Sequence, residues 1–433
     1  MVRFKVVLDY VMVRNCTTVR EEKGETFMKI GIIGLGYMFF PCEQGPSRFY
    51  YLADLFARQG HEVEVISSSF QHYIKKPKDK ELILSQNYPF QITFIDVPEY
   101  KKNICVKRLY SNSVAEKKVL KHLKENQYDV IYCAVPANNI AASVGKYCKK
   151  QGIPLIVDVE DLWPEAMEMV CKIPVVTDIL YYPLKRQAET AYACADAVIG
   201  TSDEYTNRAF QNQNRNILKK TIYVGCDLDV FDKGAKEHLP AIEKPENEFW
   251  VTYAGSIGAS YDIRTFVEAG KLIKDRGYDQ IRLKILGTGP LHQELEALKE
   301  ELGCDNIAFL GYTPYTEMAG YLVQSDVTLN SFVKGAAQSI VNKVGDYLAA
   351  GKPMINTLES PEFMHLVDEK GFGVNIEPEQ AEVLADTIIQ YYEGRNMLCL
   401  EQGKKARETA EECFDRKRTY QGMVEIAEEL VGR

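Results

Sequence analysis

At 433 residues the chain is too long for one ordinary core and fits two or three domains of about 150 residues each. Its 46% hydrophobic, 26% charged and 11% aromatic residues are those of a globular protein, which excludes disordered, collagen-like and disulfide-scaffold classes. The 52 basic and 61 acidic residues sum to −9, a balance that argues against a general nucleic-acid binder.

In chain order, residues 1–27 come first, with an apolar piece at 6–13 that Asp9 interrupts and Arg14 follows. No small-residue cleavage site ends it, so a signal peptide is not expected. This stretch is expected to be an accessory segment or an upstream start, outside the catalytic core. Regular patterning begins at Met28. Short apolar runs at 30–35, 63–67, 92–97, 130–134, 155–159, 197–201 and 222–224 alternate with amphipathic stretches at 47–59, 111–125, 139–150 and 179–194. Parallel strands joined by crossover helices require this alternation, because the strands are buried on both faces and each helix on one. Residues 232–248 then lose periodicity and carry two prolines among many charges, which predicts a linker. Beyond it the pattern predicts strands at 250–254, 283–286, 307–310, 327–330 and 354–357, with helices at 263–276, 291–302, 317–324, 344–350 and 380–393. The tail at 415–431 is amphipathic again, with Asp415 placed to cap it. The class is α/β: two doubly wound domains at 28–231 and 249–412, joined by 232–248 and followed by a C-terminal helix at 413–433.

No uninterrupted run of about 18 apolar residues occurs, so no transmembrane helix is expected. The 11 cysteines are scattered without a Cys-x-x-Cys and read as reduced thiols of a cytoplasmic protein. The 6 histidines form no cluster with ligand spacing, so neither a metal site nor a cofactor is predicted.

Glycine-bearing loops carry the candidate chemistry. Gly34-x-Gly36-x-x-Phe39 resembles a dinucleotide fingerprint, but Phe39 stands where a third glycine must let helix and strand approach. The second strand also ends Val65-Ile66-Ser67, with no acid for a ribose diol. The loop Gly45-Pro46-Ser47 that follows is a candidate for meeting a ligand at the carboxyl end of the first strand. Leu286-Gly287-Thr288-Gly289-Pro290 lies between a strand and a helix, where backbone amides suit phosphate oxygens. In Gly335 to Pro353, Lys343 falls early in a helix and Asp346 one turn later; a lysine beside helix amides suits a diphosphate, and a nearby carboxylate suits a sugar diol.

The order Gly60-His61-Glu-Val63, Glu160-Asp161-Leu162-Trp163-Pro164-Glu165, Tyr223-Val-Gly225, Tyr253-Ala-Gly255-Ser-Ile-Gly258, Gly287-x-Gly289-Pro290, Gly311-Tyr312 and Lys343-x-x-Asp346-Tyr-x-Ala-Ala-Gly351-Lys-Pro353 resembles a family 4 glycosyltransferase of the GT-B fold, over roughly residues 28–430. Asp161-Leu-Trp-Pro-Glu165 resembles the branch that builds bacterial capsule, O-antigen or exopolysaccharide. The resemblance implies two Rossmann-like domains facing across a cleft, the C-terminal helix crossing back to the N-terminal domain. It implies a nucleotide-sugar donor, expected to be UDP-linked, on the C-terminal domain and a saccharide or lipid-linked saccharide acceptor on the N-terminal one. Transfer would retain anomeric configuration without a metal ion. By position, the donor site comprises Gly255, Ser256, Gly258, Gly287, Gly289, Tyr312, Ser339, Ile340, Lys343 and Asp346; Glu160, Asp161, Gln338 and Lys343 are the catalytic candidates, and Gly45, Pro46 and Ser47 the acceptor loop.

This chain departs from the family at named positions. Where members often carry His-Asp it has Glu160-Asp161, and at the spacing of the usual Glu-x7-Glu pair it has Gln338 and Asp346. The arginine and lysine that clamp the diphosphate in many members fall near Ser256 and Tyr261-Asp262, which leaves Lys343, with Lys334 or Arg264, to supply the charge. Two further readings of the same fold are a weakly catalytic protein that serves a partner glycosyltransferase, and a nucleotide-sugar epimerase. Residues 72–124 hold 12 Lys and Arg against 5 Asp and Glu, interleaved with Tyr73, Tyr88, Phe90, Tyr100 and Tyr110, a pattern that suits peripheral contact with an anionic membrane surface.

Overall fold

A computed structural model describes residues 27–36, 39–43, 47–102, 105–135, 137–163, 165, 176–212, 215–336 and 338–432. The segment 1–26, and with it nearly all of the expected accessory stretch, lies outside the described residues, as do Gly45 and Pro46.

Strands β1 (Lys29–Ile33) and β2 (Glu62–Ser68) are followed by a short hairpin of β3 (Phe70–Gln71) and β4 (Lys76–Pro77), and then by β5 (Gln91–Ile95), β6 (Val130–Val135), β7 (Leu155–Val159), β8 (Ala197–Gly200) and β9 (Leu218–Thr221). Apart from the hairpin they form one sheet in the order β5-β2-β1-β6-β7-β8-β9, and every pairing is parallel. The second sheet contains β10 (Phe249–Ala254), β11 (Ile281–Leu286), β12 (Ile307–Gly311), β13 (Val327–Asn330), β14 (Met354–Asn356) and β15 (Gly373–Asn375), parallel in the order β12-β11-β10-β13-β14-β15. Strand order reverses between β1 and β6 and again between β10 and β13. Loops leaving neighbouring strands diverge there, which opens a crevice at the carboxyl edge of each sheet.

Two local expectations are corrected. The strand expected at 222–224 is instead Leu218–Thr221, whose Lys219 and Lys220 face solvent on a sheet edge and hide it from an apolar-run reading. Residues 222–224 serve otherwise: their carbonyls accept from Arg48 and Arg416. The supposedly aperiodic 232–248 begins inside a helix, Leu228–His238, with the Asp227 side chain accepting from Val230 N–H. A narrow stripe of Leu228, Phe231, Gly234 and Ala235 is buried, and the charges around it mask the period.

The chain passes between the domains near 226 and again near 415, and the two passages pair: Cys226 N–H donates to Phe414 O at 2.9 Å and Arg416 N–H to Cys226 O at 3.0 Å. Beyond them the helix Gln421–Val431 returns to the N-terminal domain. There Met423, Val424 and Ala427 join Ile30, Ile32, Phe49 and Tyr132 in one core cluster, and the Tyr420 hydroxyl donates to Val224 O at 2.6 Å. Each such fully buried apolar side chain stabilises by about 1.5–3 kcal/mol, so this helix is structurally part of the domain from which it is farthest in sequence. A second tie spans the domains where Glu362 accepts from the N–H groups of Asp203 (2.9 Å) and Glu204 (3.2 Å), at the start of the helix Asp203–Arg208. Among the described residues no helix is long and apolar enough to cross a membrane.

Candidate active site

The carboxyl edges of the two sheets face one another across a cavity of about 560 Å³. Gly255 and Ser256 follow β10, Glu160 and Asp161 follow β7, Thr201 follows β8, and Gln338 to Lys343 come from the loop after β13. The fold thus brings together eight of the proposed site residues: Glu160, Asp161, Gly255, Ser256, Gln338, Ser339, Ile340 and Lys343.

Lys343 is the first residue of the helix Lys343–Ala349. Its ammonium donates to Tyr253 Oη at 3.1 Å and lies 4.2 Å from the Tyr253 ring centre, 4.1 Å from that of Tyr261 and 5.3 Å from that of Phe332. Among the described residues no carboxylate is paired with it, and burial pushes its pKa down to about 7. Gly255 is required beside it: φ is +155°, and a Cβ there would lie 3.0 Å from Lys343 Nζ. Next to this cation, Ser339 Oγ and Gln338 Oε1 are buried without a hydrogen-bond partner among the described residues. Buried polar atoms are seldom left unpaired, so two of them lining one cavity mark a place where a polar ligand completes the structure.

Asp346, one turn along, does not line this cavity. Its Oδ1 accepts from Tyr315 Oη at 2.8 Å, and burial raises its carboxyl to about 6, against the pull of Tyr315 and Arg416. Gly287 and Gly289 serve the loop behind the site. A Cβ on Gly287 would strike Gly255 O at 1.8 Å and one on Gly289 would strike Ile257 O at 2.1 Å, so these glycines let the 255–258 and 287–290 loops pack backbone to backbone. Gly258 is open and Tyr312 is 78% exposed, both away from the cavity lining. Ser47 caps the helix Arg48–Arg58, accepting from Tyr50 N–H. Arg264 pairs with Glu294 at 2.5 Å, the backbone N–H of Lys334 donates to Glu379, and neither residue lines the cavity.

The cation that sequence reasoning missed is Arg108, which lines the cavity from the helix Val106–Glu125 and lies 4.1 Å from the Trp163 ring centre. Its distance in sequence from every glycine loop hid it, and only its place in the basic stretch gave a signal. His72 lines the same wall, its Nδ1 2.6 Å from Tyr100 Oη. Burial, then Arg108 and Lys75, drive its pKa down to about 3, so it is neutral.

On the same N-terminal side, behind Glu160, lies a buried ion cluster. Arg48 and Asp158 are 2% and 0% exposed; Arg48 Nε donates to Asp158 Oδ2 at 2.9 Å and Nη1 to Ile222 O at 2.7 Å, while Tyr132 Oη donates to Asp158 Oδ2 at 2.7 Å. Glu160 Oε1 is 3.4 Å from Arg48 Nε without forming a hydrogen bond. Burial, then Asp158, raises its carboxyl to about 8, with Arg48 and Arg416 opposing. Asp161, also raised by burial, accepts from Trp163 Nε1 at 3.1 Å.

Residues 235–411 match the family described as "Glycosyl transferases group 1". The C-terminal domain thus resembles a group 1 glycosyltransferase domain over these residues. Over 179 residues the chain is 26% identical to a protein of Escherichia coli (strain K12) described as a colanic acid biosynthesis glycosyl transferase, WcaI; that match spans 41% of this chain and 42% of the relative. Among solved structures, Anabaena Alr3699/HepE in complex with UDP superposes with a TM-score of 0.66 at 16% identity, over 92% of this chain and 99% of that one. WaaG, a glycosyltransferase involved in lipopolysaccharide biosynthesis, superposes with a TM-score of 0.65 at 16% identity, over 93% of this chain and all of that one, 100%. The two domains together have the GT-B fold.

The basic stretch at 72–124 flanks the cavity but is less uniform than its composition. Phe90 and Tyr100 are buried and Tyr88 is half-buried in the aromatic packing, whereas Tyr73, Ile74, Val106, Leu109 and Tyr110 are exposed. Lys78 is buried against Glu43 at 2.9 Å and Lys80 pairs with Asp96, so neither adds free charge to the surface.

Proposed function

We propose that the chain is a retaining, metal-independent glycosyltransferase. It moves a hexose or N-acetylamino sugar from a UDP-linked donor to a saccharide or lipid-diphosphate-linked acceptor in cell-surface polysaccharide synthesis. The observation that carries this reading is Lys343, a desolvated cation beside the unpartnered Ser339 hydroxyl and Gln338 amide oxygen. In glycosyl transfer the leaving group is a nucleoside diphosphate, and its departure needs positive charge and donors at the phosphates more than a strong acid. Lys343 and Ser339 supply both from one loop. Asp346, held by Tyr315 outside the cavity lining, would take the ribose diol of a nucleoside that extends along the helix beyond Lys343, and Arg108 and Trp163 on the facing wall would meet the acceptor. The UDP complex of the structurally similar HepE and the polysaccharide roles named for WcaI and WaaG agree with this choice of donor and product class.

We place the protein at the inner membrane surface through the exposed apolar and basic residues that flank the acceptor wall. A thermal-shift panel of UDP-, GDP- and dTDP-sugars, followed by a transfer or donor-hydrolysis assay with and without chelator, tests the reading. Stabilisation by UDP-sugars and chelator-resistant turnover are expected. Failure of every nucleotide sugar to stabilise the protein would refute it.

A further inference from the structure

We propose that Glu160 acts as a neutral carboxylic acid that donates a hydrogen bond to the sugar of the donor, and that Asp158 keeps it neutral by claiming Arg48 for itself. This rests on the donor reading above and assigns a residue that chooses the sugar within it.

The geometry is one of competition for a single cation. Arg48 comes from the helix Arg48–Arg58 and could serve either carboxylate. Its Nε and Nη2 approach Asp158 at 2.9 and 3.4 Å, and its Nη1 is held by the carbonyls of Ile222 and Tyr223. Tyr132 adds a hydroxyl to Asp158. Glu160, two residues along the same strand end, receives the guanidinium only at 3.4 Å and among the described residues makes no hydrogen bond through Oε1, although its side chain is 15% exposed and lines the cavity with Lys343. Two carboxylates beside one arginine in a buried place cannot both stay ionised at low cost, and the one with fewer donors keeps the proton. The other groups that act on Glu160 are Asp161, which favours the proton, and Arg416 at the domain crossing, which opposes it. Tyr132 and Tyr420 sit on the same cluster, both with hydroxyls that burial keeps protonated. A protonated carboxyl is a hydrogen-bond donor that adds no negative charge near a diphosphate. A carboxylate in that position would repel it.

Calorimetry with UDP-glucose and with UDP tests this on wild type, Glu160→Gln and Asp158→Asn, from about pH 6 to about pH 9, bracketing the value near 8 at which the carboxyl ionises. The amide of Gln keeps a donor and cannot ionise. The affinity ratio of wild type to Glu160→Gln for UDP-glucose should therefore be flat below about pH 8 and fall about tenfold by about pH 9. Lys343 titrates alike in both proteins and cancels in the ratio. Asp158→Asn frees Arg48 to serve Glu160 and should move the fall to lower pH, a shift that a merely structural role would not produce. If UDP binds wild type but the ratio is the same at every pH, or rises with pH, the proposal is overturned while the donor reading stands. If neither UDP nor UDP-glucose binds wild type, both fall.

Discussion

Lys343 lies among three aromatic rings rather than beside an acid, and its titration follows from that environment. The folded chain releases the proton near 7, whereas a free lysine holds it to 10.5. A diphosphate arriving beside the amine restores the charge, so UDP binding should take up a proton and weaken as pH rises above about 7. Calorimetry in buffers of different ionisation enthalpy reads that proton directly. The same shift gives folding a pH slope. Between about 7 and 10.5 the unfolded chain holds more protons than the native one, so stability rises with pH in that window. Lys343→Met should reduce that slope in denaturant titrations at a series of pH values. Asp346 behaves in the opposite sense: with its carboxyl raised to about 6, affinity for uridine should grow as pH rises through that value, and Asp346→Ala should lower affinity for uridine and UDP alike.

The helix Gln421–Val431 shows how an element's role can be invisible to local pattern. Its amphipathic period was legible, but Asp415, expected to cap it, instead caps the short helix Arg416–Thr419 that precedes it, accepting from Lys417 N–H. Met423→Ala, in a side chain that is 0% exposed, should cost about 2–5 kcal/mol in chemical denaturation and lower the stability of the N-terminal domain in particular. Retention of wild-type stability would mean that the helix does not complete that core. Strands buried on both faces, such as Val130–Val135 and Leu155–Val159, were readable because every residue in them is apolar or paired inside. The edge strands Leu218–Thr221 and Gly373–Asn375 were not, since half of their surface is wet and their composition is that of a loop. The same limit applied to the site. Loops after strands pointed to Gly255, Ser339 and Lys343, while Arg108 and the Arg48–Asp158 pair are joined to the cavity only by tertiary contact and carry no spacing signal.

At the scale of the whole molecule, a cavity whose two walls belong to different domains suits a reaction that must join two substrates and exclude water. The C-terminal wall offers a cation and unpaired polar atoms; the N-terminal wall offers Arg108 stacked on Trp163, with Val106, Leu109 and Tyr110 exposed on the same helix. That helix surface should bind vesicles containing anionic lipid, with each well-placed basic residue worth about 1 kcal/mol before screening by salt. Co-sedimentation that weakens as salt is raised, and weakens further in a Val106→Ser/Leu109→Ser variant, would fit; equal binding to neutral and anionic vesicles would not. The most direct test of the account as a whole is a titration of wild type and Lys343→Ala with UDP by calorimetry. Wild type should bind, and the variant, folded to the same extent, should bind more weakly by about 1.5–3 kcal/mol, the range for a hydrogen bond to a charged group. Equal affinity in the two proteins would contradict a donor site built around Lys343.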